Sequence, residues 1–128
     1  MFLVVRWSAA LAALASAGVH VLALATGGPP SSARVLVLLG MAMACLPCAV
    51  HLALLPRRRT WVQAAVVSAA MVGAHPLVAA GAGHAHHGTA PGGGAMGVAM
   101  VVVPALGLVL ALSGLALGRP RPATVARG

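Results

Sequence analysis

The chain has 128 residues, 61% hydrophobic and 6% charged; eight cationic residues meet no aspartate or glutamate, giving a formal charge of +8. Soluble domains are usually about 45–50% apolar and about 25% charged, so this much apolar surface could not be covered in water. The lack of carboxylates excludes paired-acid catalysis, Ser-His-Asp triads and oxygen cages for Ca²⁺ or Mg²⁺, and an enzyme is not expected.

Residues 1–25 open with Arg6 and continue into an apolar run at 7–25. Ala23-Leu24-Ala25 resembles a signal-peptide cleavage site, but the run exceeds the usual ~7–15-residue h-region. A retained first span is the preferred reading, with Trp7 as its headgroup anchor. TGGPPSSAR, at 26–34, is a turn by composition.

Residues 35–55, VLVLLGMAMACLPCAVHLALL, form the second span. At ~1.5 Å per residue it is long enough for a ~30 Å hydrocarbon core. Pro56 and Arg57-Arg58-Arg59 end it, and a short connection leads to a third span at 61–80. Spans two and three should therefore be an antiparallel hairpin. GAGHAHHGTAPGGG, at 81–94, is a glycine-rich loop, and 95–117 is the fourth span. The remaining tail, 119–128, is expected to be disordered.

The fold class expected is all-α, an integral membrane four-helix bundle over residues 1–118 with both termini cytoplasmic. That orientation puts Arg6, Arg57, Arg58, Arg59, Arg119, Arg121 and Arg127 inside and Arg34 alone outside, in accord with the positive-inside rule. The arginines sit near helix ends and suit phospholipid headgroups, so the partner expected is the lipid bilayer and not nucleic acid. Close helix approach is expected at three small-xxx-small patterns, Gly40/Ala44, Ala69/Gly73 and Gly114/Gly118. Pro47, Pro76 and Pro104 should each kink a span.

Depth along the spans selects the candidate site. With midpoints near Ser16, Cys45, Ala70 and Leu106, His20 and Met41 lie ~6 Å outward of the midplane, His75 ~7 Å and Met100 ~9 Å. Above them the loop carries His84, His86 and His87. Imidazole and thioether suit copper, and the missing carboxylates disfavour harder metals. Structural roles compete with this reading, because methionine fills irregular cores and a buried histidine can be satisfied by a neighbouring carbonyl. Cys45-Leu46-Pro47-Cys48 looks like a CxxC motif, but it lies at mid-bilayer rather than at an exposed helix N-terminus. Two thiols on a packed face is the preferred account, with a soft-metal relay as the alternative.

His20 together with MAMACLPCAVH (41–51) resembles small uncharacterised multi-pass membrane proteins of actinobacterial type, whose helices carry scattered His and Met. The resemblance implies location and architecture, a bacterial inner membrane protein, rather than a chemistry. The function expected is a small accessory or structural subunit of a larger membrane assembly, or a homo-oligomer. Copper handling at an outward-facing His/Met site is the first alternative. A bis-His haem on His20 and His75 is the second.

Overall fold

The computed structural model of the protein describes residues 2–26, 31–55, 57–81 and 94–118, with only the backbone at 77–81. The histidine loop and the tail at 119–128 lie outside the described residues. Four helices account for nearly everything described: α1 (Phe2–Thr26), α2 (Ser32–Leu54), α3 (Arg58–Gly81) and α4 (Ala95–Leu117).

By length and composition, α1, α2 and α4 are long and apolar enough to cross a membrane. Among the described residues α3 does not meet that standard. Its first turn holds Arg58, Arg59 and Thr60, and Gln63, Ser68 and His75 dilute the apolar residues that follow.

The α4 bounds match the sequence reading, whereas α1 begins five residues earlier than the span at 7–25. Two of the three clustered arginines belong to the first turn of α3 rather than to the connection. Ser31 caps α2, its hydroxyl accepting from the Arg34 amide at 3.3 Å, which satisfies one of the donors that a helix start leaves open. Pro47, Pro76 and Pro104 lie inside helices that run on through them.

The helices form an up-down-up-down bundle in which α1 packs on α2 and α4, and α3 packs on α4 and, more sparsely, on α2. Arginines fix the α1–α2 register at both ends. Arg6, near the start of α1, donates from Nε to the Leu52 carbonyl at 3.0 Å and from Nη2 to the Ala53 carbonyl. Arg34, near the start of α2, donates from Nη2 to the Ala23 carbonyl at 3.2 Å. Those oxygens belong to the last turns of the opposite helices, where no intrahelical donor remains and the dipole favours a cation. Hydrogen bonds from a charged group contribute about 1.5–3 kcal/mol each. Two arginines expected to serve lipid headgroups thus also cap their neighbour helix.

Small side chains face inward. The buried stripe of α1 is Ala9, Ala12, Ser16, Ala17, His20 and Ala23, and that of α2 includes Ala42, Cys45, Ala49 and Leu52. Many of the large apolar residues, among them Leu3, Leu11, Leu36, Leu54, Val66 and Val98, are exposed, while Leu38, Leu52, Trp61 and Met71 are buried. This inverts the pattern of a water-soluble bundle and suits helices that associate within lipid.

A few larger side chains do enter, Trp61 the largest of them. Trp61 is buried between Phe2, at 5.9 Å between ring centroids, and the last turns of α4. It fits because position 114 is glycine: a Cβ there would sit 2.3 Å from the indole. Close approach at Gly114 is therefore real, though to a ring and not a backbone. At Gly40 and Gly73 an added Cβ would meet nothing within 4 Å, so those patterns do not mark tight helix contacts.

Gly114→Ala should destabilise the protein by about 1–3 kcal/mol through overpacking. Gly40→Ala and Gly73→Ala should be neutral or stabilising by up to about 1 kcal/mol, since alanine is the better helix former. Tryptophan-fluorescence melts in detergent check this; equal losses at all three glycines would contradict the Trp61 packing.

Candidate functional site

The inward stripes of α1, α2 and α3 place His20, Cys45 and Met71 in the bundle interior. Helices α1 and α3 run parallel across the bundle, so they meet in matching steps: Phe2 with Trp61, Ser16 with Met71, His20 with His75. Each histidine follows by four residues the partner one step below it. Ser16/His20 and Met71/His75 are i, i+4 pairs, which share one helix face.

The contacts are specific. The Ser16 hydroxyl donates to Met71 Sδ at 3.6 Å, and the Cys45 thiol donates to the same sulfur at 3.6 Å. Met41 packs against the buried group of Ala17, Cys45 and Met71. One turn farther along α1 and α3, the His20 and His75 rings stand edge to face with centroids 5.6 Å apart. His20 Nδ1 lies 2.6 Å from the Ser16 carbonyl oxygen, and His75 Nδ1 lies 2.6 Å from that of Met71. His20 is fully buried while His75 is half-buried.

Among the described residues, two buried side-chain nitrogens have no hydrogen-bond partner: His20 Nε2 and Trp61 Nε1. For His20 the carbonyl takes up one ring nitrogen and leaves the other pointing into an apolar interior. Leaving such an atom unsatisfied costs about 1–3 kcal/mol.

Three of the residues singled out in the sequence, His20, Met41 and His75, belong to this region. Met100 is half-buried on α4, outside the group of Ala17, Cys45 and Met71 with its packed neighbours. His84, His86 and His87 lie outside the described residues. Sequence reasoning missed Met71 and Ser16 and treated Cys45 as part of a packed face. The i, i+4 repetition ahead of each histidine was the available signal.

The interior is nearly filled. A cavity of about 20 Å³ lies among Ser16, Cys45, Cys48, Ser68, Met71 and Gly107. That is room for about one water, far below the ~300–1,000 Å³ of a small-molecule site. Nothing of porphyrin size fits beside the thiols. A larger cavity, about 220 Å³, opens at the arginine end between Phe2, Arg58, Trp61 and Gly114. Among the described residues no three His, Cys, Asp or Glu side chains converge. No protein-family model, curated protein or solved structure matches the chain.

Replacing His20 by leucine, similar in volume but without the orphaned nitrogen, should leave the metal-free protein as stable or up to about 1–3 kcal/mol more stable. Met71→Ala should cost about 2–5 kcal/mol by opening a cavity. Thermal melts of chelator-treated protein in detergent give both values. A large loss for His20→Leu would mean that Nε2 is satisfied by a group not yet identified.

Proposed function

We propose that the chain is a small, non-enzymatic multi-pass protein of the bacterial inner membrane, acting as an accessory subunit of a larger membrane assembly. Both termini lie in the cytoplasm. The observation that carries this reading is the inverted distribution of side-chain size. The bundle closes largely on alanine and leaves many of its large apolar residues outside, where lipid or another membrane protein covers them.

The outer face of α4 is the most uniform of these surfaces. Val98, Val102, Leu106 and Val109 recur at helical spacing and are all more than half exposed. Among the described residues the mid-helix interior encloses only about 20 Å³, which favours a packing role over solute passage through the bundle.

Retention of α1 supports the same scheme. It supplies one wall of the bundle, the Arg6 cap on α2 and the buried His20. Removing it would expose polar and small-residue surface on both neighbouring helices. Arg57, Arg58 and Arg59 are exposed at the Trp61 end, a disposition suited to the cytoplasmic headgroup layer.

The protein should remain in the membrane after alkaline carbonate extraction. Reporter fusions should place 81–94 outside and the C-terminus inside. A photo-crosslinker at Val102 or Leu106 should give a discrete adduct heavier than two copies of the chain. An adduct of twice the chain's mass would replace the larger assembly with a homo-oligomer, and no adduct with a monomeric detergent particle would end the accessory reading.

A further inference from the structure

We propose that His20, His75 and the Met71 sulfur form a site for one Cu(I) ion. The proposal goes beyond the accessory role and shares with it only the retention of α1. Its starting point is the hydrogen bonding of the two rings. Each Nδ1 lies 2.6 Å from a carbonyl oxygen of its own helix, that of Ser16 or of Met71. A carbonyl can only accept, so each Nδ1 carries the proton and each Nε2 presents a lone pair. Histidines that bind metals are held in this way, with the far N–H fixed by a carbonyl or carboxylate. Here two rings on two helices share the arrangement, with centroids 5.6 Å apart.

The lone pair of His20 is buried and unpartnered. The nearby donors are turned elsewhere: the Ser16 hydroxyl and the Cys45 thiol both point to Met71 Sδ. Within hydrocarbon no bulk water can supply the missing bond. A cation that accepts the electron pair relieves the cost of leaving it unsatisfied.

The donor set selects the ion. The assigned ligands are His20 Nε2, His75 Nε2 and Met71 Sδ; Cys45, whose thiol donates to Met71 Sδ, and Met41 pack beside them. Calcium and magnesium require oxygen ligands, and the zinc ligand set does not include thioether. Thioether with imidazole suits Cu(I). This set differs from the outward His/Met layer expected from sequence, since it draws on Met71 and needs neither Met100 nor the loop.

The full-length protein in detergent, under anaerobic reducing conditions, is titrated with Cu(I) against a chromophoric Cu(I) chelator and then desalted for metal analysis. One copper per chain should be retained, and copper K-edge absorption should show nitrogen and sulfur neighbours. His20→Leu/His75→Leu should weaken retention at least tenfold, while His84→Ala/His86→Ala/His87→Ala should retain copper as the wild type does. Met71→Leu should remove the sulfur neighbour, and Cys45→Ser should leave it.

Copper absent from wild type with an unchanged melt and size profile would overturn the proposal. So would copper lost with the loop histidines but not with His20 and His75, or Zn(II) retained as well as Cu(I). A melting temperature raised by Cu(I) in wild type and not in His20→Leu/His75→Leu separates lost ligation from lost folding. None of these failures touches the accessory reading, whose extraction, topology and crosslinking measurements involve no metal.

Discussion

The structure depends on putting small side chains where its helices meet. Within a membrane there is little hydrophobic gain in moving leucine from lipid to protein, so large apolar residues on the contact face would only hold the helices apart. Alanine, serine and glycine let the backbones approach and recover dispersion contacts and interhelical hydrogen bonds. The stripe from Ala9 to Ala23 on α1 meets that requirement. Its consequence is that the few larger interior residues need matched vacancies: Trp61 has Gly114.

Close approach also makes the arginine caps possible. Arg6 and Arg34 sit near opposite ends of the α1–α2 pair, and each reaches carbonyls in the last turns of the other helix. A one-turn slip of α1 on α2 would strip both ends of donors and would also carry His20 and Ser16 away from Met71 and Cys45. Register at the periphery and composition of the interior cluster are thus set by one alignment. Arg6 has a further neighbour in Trp7, whose ring centroid lies 5.5 Å from the guanidinium, in keeping with a position near the headgroup level.

Much of this was legible because hydropathy and helical rise are one-dimensional. The bounds of α4 followed from an uninterrupted apolar run between glycine-rich breaks, and equal depth brought His20, Met41 and His75 into one region. What stayed hidden depends on rotation about the helix axis. Helix α3 exposes Val66 while burying Ala64 and Ala65. Both faces are apolar, so no periodicity shows which one turns inward. Met71 was invisible for that reason, and Met100 could match in depth while its helix carried it elsewhere. The starts of α1 and α3 were placed late because arginine was read as a flank. Guanidiniums on long stems can belong to a helix and still reach carbonyls or headgroups.

The interior has two unlike ends. Toward the arginine end, Leu52, Trp61, Ala64 and Ala111 form an apolar plug. Farther along come Ser16, Cys45 and Met71, and then the histidine pair. Each half holds one buried nitrogen without a partner, Trp61 Nε1 in the first and His20 Nε2 in the second, at about 1–3 kcal/mol each. A helix carbonyl binding Nδ1 does not recover that cost, since the same ring still leaves Nε2 bare. The halves differ in the kind of atom left bare: the indole N–H is a donor with nothing to offer a cation, whereas the imidazole Nε2 opposite a bound Nδ1 presents a lone pair. Only the second kind suits the ion site proposed at the histidine pair.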